Sequence, residues 1–270
     1  EVTANDGTAY GWVDPIGVFE NARGVVGIIR PGRLQPAATD RINLGSVGGI
    51  ASGSGVRGWP LVPTMALSPD ESRLLVATTN ATGTRVDLAV VELATARVRR
   101  VSNPSPSSSG ELLRLGFLGN DRVVGIYVNS VVTADLTTDD TPTVNERRLG
   151  TDVATHAFFA KGRAWIVRGS DDFDRWLWSL DAADTFERLS IVAGLPLNSE
   201  LLESPDGLQV AEASTSLVEG TVRIRDFTDD ARLELRTGNV GQVSGTTNVR
   251  WSPDGAALFL IGDDKMLRIE

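Results

Sequence analysis

Cysteine is absent from all 270 residues, so disulfides, zinc thiolates and cysteine nucleophiles are excluded. Histidine occurs once, at His156, and a multi-histidine metal site is therefore impossible. Lysine is nearly absent as well: Lys161 and Lys265 are the only two, and every other basic residue is Arg. No apolar run approaches the ~18 residues of a membrane-spanning helix; the runs are short, such as Val25 to Ile29. There is no G-x-S-x-G elbow and no G-x-x-x-x-G-K-[ST] loop. The formal charge of -9 is spread along the chain, which argues against a general affinity for nucleic-acid phosphates. Glu1-Val2-Thr3-Ala4 reads as a mature start with no leader.

What is abundant is turn chemistry. Trp251-Ser252-Pro253-Asp254-Gly255 precedes an apolar run, Ala256 to Ile261, and it has two upstream echoes. These are Leu67-Ser68-Pro69-Asp70 before Arg73 to Ala77, and Glu203-Ser204-Pro205-Asp206-Gly207 before Leu208 to Ala211. Pro fixes φ at the first turn position, Asp bonds back to its own backbone, and Gly takes positive φ freely. Each stretch predicts strand, tight turn, strand.

Turn signals fall near residues 6, 70, 120, 162, 206 and 254. Apart from the first interval, lengthened by the Gly/Ser-rich stretch Gly45 to Gly58, the spacing is roughly 40 to 50 residues, the period of four-stranded propeller blades. Within the units the apolar period is two, as in Val222-Arg223-Ile224-Arg225 and Leu233-Glu234-Leu235-Arg236. The pattern predicts an all-β, six-bladed β-propeller of four-stranded antiparallel blades. One domain covers 1–270, with blades at about 1–45, 64–101, 111–149, 154–191, 199–236 and 247–270. The last unit has three strands and no fourth, so a terminal segment is expected to complete it or the chain to belong to a longer protein.

The Ser-Pro-Asp-Gly turn before an apolar strand, at 204–207 and 252–255, resembles the WD40-like repeat of bacterial TolB-type β-propellers. The resemblance extends over nearly the whole chain as a period and is specific at three turns. No Trp-Asp pair ends the third strands, so the chain does not resemble a eukaryotic WD40 protein. The family implies the fold; its members bind proteins, bind ligands or accompany catalytic domains.

His156, in Thr155-His156-Ala157-Phe158, reads as a packed or hydrogen-bonded strand residue, since a general base needs a nucleophile and an orienting acid. Gly53-Ser54-Gly55-Val56-Arg57-Gly58 matches G-x-G-x-x-G in letters only. The dinucleotide fingerprint requires a following helix, and Pro60 biases Trp59 away from one. Asp171, Asp172 and Asp174 cluster in a hairpin loop without the alternating spacing of a calcium loop. Trp176 and Trp178 share one face of a strand and Leu177 the other, and the tryptophans are expected to pack between blades. No cofactor, metal or catalytic residue is assigned.

The sequence therefore predicts a non-catalytic scaffold that binds a protein or other macromolecule but not nucleic acid, with no membrane span in this segment, in an extracytoplasmic compartment of a bacterium. Long loops on a rigid scaffold carry binding residues. The partner-binding candidates are Arg57, Trp59, Asp171, Asp172, Asp174 and Arg175, on the loop-rich face. The alternatives are the propeller domain of an enzyme (peptidase-associated, lyase or lactonase) and a ligand-sensing ectodomain.

Overall fold

Period-two apolar residues between short turns can bury one face only as antiparallel sheets. The computed structural model shows this: all regular structure among the described residues is strand. Those residues are 2–12, 25–32, 41–44, 49–50, 65–79, 86–101, 111–137, 142–169, 175–192, 195, 199–214, 220–228, 232–243, 248–261 and 266–269. They separate into two compact units, 1–57 with 63–148 and 58–62 with 149–270.

The first unit holds three sheets. The first sheet is β1 (Val2–Thr3), β2 (Ala9–Trp12), β3 (Val25–Ile29) and β4 (Arg41–Asn43), in that order. The second has β5 (Gly49–Ile50), β6 (Met65–Leu67), β7 (Arg73–Thr79), β8 (Val86–Glu92) and β9 (Arg97–Val101). Here β5 and β6 both pair with β7, so the Gly/Ser-rich stretch contributes a strand that its composition did not predict. The third sheet is β10 (Leu112–Phe117), β11 (Arg122–Tyr127), β12 (Ser130–Asp135) and β13 (Thr143–Arg148).

The second unit holds the other three. The fourth sheet is β14 (Ala154–Ala160), β15 (Arg163–Arg168), β16 (Trp176–Leu180) and β17 (Phe186–Ile191). The fifth is β18 (Ser199–Glu203), β19 (Gln209–Ser214), β20 (Gly220–Phe227) and β21 (Leu233–Val243), and β21 runs well past the strand predicted to end at Arg236. The sixth is β22 (Asn248–Trp251), β23 (Leu258–Ile261) and β24 (Met266–Ile269), three strands as the sequence predicts.

The Ser-Pro-Asp turns close alike. Ser68, Ser204 and Ser252 each donate their hydroxyl to the Asp two residues on, at 2.6, 2.5 and 2.5 Å. Each serine oxygen also accepts the backbone N–H five residues on, from Arg73, Gln209 and Ala257. The carboxylates then accept backbone N–H groups from Ser72, Leu208 and Ala256. Gly207 and Gly255 supply the positive φ, 69° and 71°. In the first of the three turns Glu71 takes that role at φ 57°, a conformation that strains a non-Gly residue.

Within each unit, successive turns touch. In the first, Asn5 N–H donates to Glu71, and Asp70 N–H donates to Asn120. In the second, Gly207 lies against Ala160 and Lys161, and Gly255 against Pro205 and Asp206. Apolar side chains fill the space behind the turns. Val26, Ile42, Leu74, Val76, Ala89 and Val91 belong to one cluster of the first unit. Phe158, Trp165, Leu177, Leu201, Val210 and Phe227 belong to a cluster of the second.

The hydrogen bond from the Ser68 or Ser204 hydroxyl does most to hold the Asp70 or Asp206 carboxyl below its ordinary range, and the same holds for Ser252 and Asp254. A carboxyl depressed in the folded state contributes stability above its unfolded pKa, near ~3.9, and loses it as pH falls through the folded value. The melting temperature is therefore expected to drop steadily as pH is lowered from about 5 to about 3, and Asp206→Asn to reduce that slope. Ser204→Ala, which leaves Gln209 N–H without its side-chain acceptor, should cost about 1 kcal/mol at neutral pH, read by denaturant unfolding.

Candidate interaction surface

The fourth sheet carries the most distinctive side-chain arrangement. In β16, Leu177 is fully buried in the core cluster, and Trp176 and Trp178 point to the other face, where each is only half-buried. Leu177 belongs to the core cluster, and the two indoles stand, partly buried, on the opposite face, as the alternation predicts.

Strand β17 completes this face through an irregularity. Trp176 pairs with Ile191, Leu177 with Ser190, and Trp178 with Arg188, so Leu189 is an extra residue and the ladder bulges there. Unbroken alternation would send Arg188 and Ile191 to opposite faces. With the bulge, both lie beside the tryptophans.

Two cations stack on these rings. The Arg188 guanidinium lies 4.3 Å from the Trp176 ring centre. The Arg168 guanidinium lies 4.5 Å from that of Trp178 and 5.7 Å from that of Phe186. Trp178 and Phe186 stack at 4.9 Å. Arg168 is buried and donates to the carbonyls of Asp152 and Leu149, at 3.0 and 2.5 Å. Burial pulls its pKa below the ordinary Arg value, against the opposing charge of Asp152. Arg188 is exposed, and Ile191 is 56% exposed. The face thus joins a fixed arginine, an exposed one, two indoles and an exposed aliphatic residue, the composition of binding hot spots apart from Ile191.

The predicted site residues fall unevenly. Arg57, Trp59, Asp171, Asp172 and Asp174 lie outside the described residues. Arg175 is described, and it is wholly buried, with its guanidinium donating to the Leu195 carbonyl. A buried arginine that satisfies a main-chain acceptor is a packing element, so Arg175 leaves the set of surface contacts. Arg168, the last residue of β15, and Trp176, the first of β16, pair with each other at one end of the aromatic face. Arg188, Ile191 and Arg168 escaped the sequence reading because only the bulge brings them together.

His156 is buried, as expected of a hydrogen-bonded strand residue. Its Nδ1 lies 3.1 Å from the hydroxyl of Thr155, which donates to the Val167 carbonyl, and its Nε2 lies 3.3 Å from the Ser199 hydroxyl. This is a nucleophile–base geometry, but Ser199 is 4% exposed and His156 0%. Among the described residues no group of three or more His, Asp or Glu converges in a way that would hold a metal ion. No helix is long and apolar enough to cross a membrane among them.

Sheet topology and neighbours define an all-β chain of the β-propeller type. No protein-family model and no curated protein matches the chain. Solved structures do. A functionally unknown protein from Desulfotomaculum acetoxidans is 13% identical at TM-score 0.62, over 93% of this chain and 73% of that one. A putative 6-phosphogluconolactonase from Bacteroides fragilis is 12% identical at TM-score 0.59, over 97% and 76%. The Myceliophteria thermophila Cps50 (Swd1) β-propeller domain is 12% identical at TM-score 0.55, over 88% and 73%. Identities this low speak for fold alone.

The two arginines should separate in stability measurements. Arg168→Ala removes two hydrogen bonds and a buried stack and is expected to cost about 2 to 3 kcal/mol. Arg188→Ala removes one exposed stack, worth about 0.5 to 1 kcal/mol. Chemical denaturation of both variants checks the order.

Proposed function

We propose that the chain is a non-catalytic, TolB-type propeller scaffold whose six sheets are six blades of one domain. It binds a protein partner through the aromatic–arginine face of the fourth sheet and the loop 170–174 at its end. The observation that carries this reading is the pairing of exposed Arg188 and Ile191 with Trp176 and Trp178 on one face. A residue that serves only the core has no need of a bulge that turns it outward. The three like turns, each closed by Ser and Asp, support the TolB-type reading.

Asp171, Asp172 and Asp174, between β15 and β16 in sequence, and Arg57 and Trp59 remain candidate contacts. An enzyme reading, suggested by the lactonase-named neighbour, would draw on His156 and Ser199, and their burial speaks against it.

The test is site-specific photocrosslinking in extracts of cells that produce the protein naturally. A photoreactive residue at Ile191 is expected to give one discrete adduct that disappears with Trp176→Ala; Leu208, 53% exposed on a turn of the fifth sheet, serves as control. With the partner in hand, Trp176→Ala and Trp59→Ala should each weaken binding by about 2 kcal/mol. Equal adducts from Leu208, or an Ile191 adduct indifferent to Trp176→Ala, would defeat the reading.

A further inference from the structure

The aromatic face of the fourth sheet carries two cations and no anion. Besides Arg168 and Arg188, the residues that β15, β16 and β17 turn to that side are the two tryptophans, Ile191 and the uncharged Ala164, Ile166, Leu180 and Phe186. Glu187 is the one acid within these three strands, and it lies on the opposite face, 3.1 Å from Arg163. Asp152 offers Arg168 its main-chain carbonyl rather than its carboxylate. Among the described residues, carbonyls and aromatic rings hold the two guanidinium groups, and no acid meets either.

The ladder sets the spacing of these cations. Arg168 lies opposite Trp176 but stacks on Trp178, and Arg188 lies opposite Trp178 but stacks on Trp176. The two side chains therefore cross over β16 and stand on neighbouring rings of one strand. Residues two apart on a strand are about 7 Å apart, so the guanidinium groups are separated by about that distance. A guanidinium stacked on a ring keeps its donors at its edge. Arg168 commits Nε and Nη2 to main-chain carbonyls, and its Nη1 has no acceptor among the described residues and is not sealed from water. Arg188 is exposed. Two like charges this close repel each other until an anion joins them.

We infer that the partner of this face is an acidic peptide segment in extended conformation, with carboxylates at alternate residues. The inference rests on the partner-binding reading of the fourth sheet and names the chemistry that the site selects. Side chains alternate along an extended segment, and those two residues apart point the same way at about 7 Å. That spacing gives each guanidinium one carboxylate and a charge-assisted hydrogen bond. Two adjacent acids would instead point one towards the face and one away. An aliphatic residue two positions beyond the second acid returns to the same side, where Ile191 is exposed beside Trp176. Clustered arginines recognise acidic motifs in this manner. The chain as a whole carries a charge of -9 and does not attract acids in general, so the selection comes from this face.

Isothermal titration calorimetry of the full chain with acetyl-Gly-Glu-Thr-Glu-Thr-Leu-Gly-amide is the test. Its dissociation constant is expected to be at least about tenfold lower than that of the analogue with Gln for both Glu. It should also be several-fold lower than that of an isomer with the two Glu adjacent. Arg188→Ala should abolish most of the difference between the Glu and Gln peptides, and circular dichroism confirms that the variant folds. Arg163→Ala, which removes the same charge from the opposite face, should preserve that difference. No detectable binding at millimolar peptide, equal affinity for the Gln analogue or the adjacent isomer, or an equal loss with Arg163→Ala overturns the proposal. So does binding that appears only after Asp171, Asp172 and Asp174 are replaced by Asn, because the chain's own acids then occupy the arginines. A natural adduct at Ile191 that excess peptide does not displace reveals a partner of other chemistry. In that case the acidic assignment falls and the fourth-sheet face stands, so the two readings fail separately.

Discussion

Register is the constraint on which everything else here depends. A strand that slips by one residue turns its whole apolar set from core to solvent. In the second, fifth and sixth sheets the first hairpin is locked by a serine that works twice across the turn. Ser204 donates its backbone N–H to the Gln209 carbonyl and accepts Gln209 N–H on its hydroxyl oxygen. Ser68 with Arg73 and Ser252 with Ala257 repeat the arrangement. Once the hairpin is fixed, Val210 and Leu201 must face inward, and the neighbouring strands inherit their phase.

The same turns pass order from sheet to sheet within each unit. Arg73 shows how. Leaving a Ser-Pro-Asp turn, it pairs with Glu92 in its own sheet at 3.1 Å and reaches the Asn120 carbonyl and the Asp121 carboxylate of the next sheet's turn, at 2.8 and 2.7 Å. A lysine has no planar fork with which to meet an acid and a carbonyl at once, whereas arginine does. Arg99 likewise joins Glu92 to the Leu136 carbonyl, and buried Arg225 meets Glu212. The scarcity of lysine therefore coincides with a structural use of the guanidinium group. Buried pairs of this kind add little net stability but penalise the loss of either partner heavily.

The turns and strands were legible in the sequence because their causes are local. Pro, Asp and Gly act within four residues, and the fourth sheet runs from Ala154 to Ile191, the bounds that the repeat period predicts for its blade. The site was less legible because its causes are not local. Nothing in Phe186 to Ile191 announces that Leu189 will be skipped; that follows from what β16 presents across the ladder. Arg175 looked like a surface anchor beside an acidic loop, and it is buried because a carbonyl at Leu195, twenty residues on, takes its guanidinium. His156 was readable because a single histidine on an apolar strand has few ways to satisfy two ring nitrogens, and neighbouring hydroxyls are the simplest.

The fourth and sixth sheets manage their last strands in opposite ways, and the difference sets the kind of contact each can make. At β17 the bulge disrupts the backbone edge and at the same time brings Ile191 and Arg188 round to the indoles, so side chains dominate that surface. The recognition proposed for it would be sensitive to single truncations, because a few desolvated aromatic and arginine groups would carry the energy. At β24 the backbone edge is intact and the side chains are few. An intact backbone edge offers main-chain hydrogen bonds, which read little of the side chains. A bulge thus converts a sheet edge from a surface that pairs indiscriminately into one that reads side chains, and this chain has both forms within a single unit.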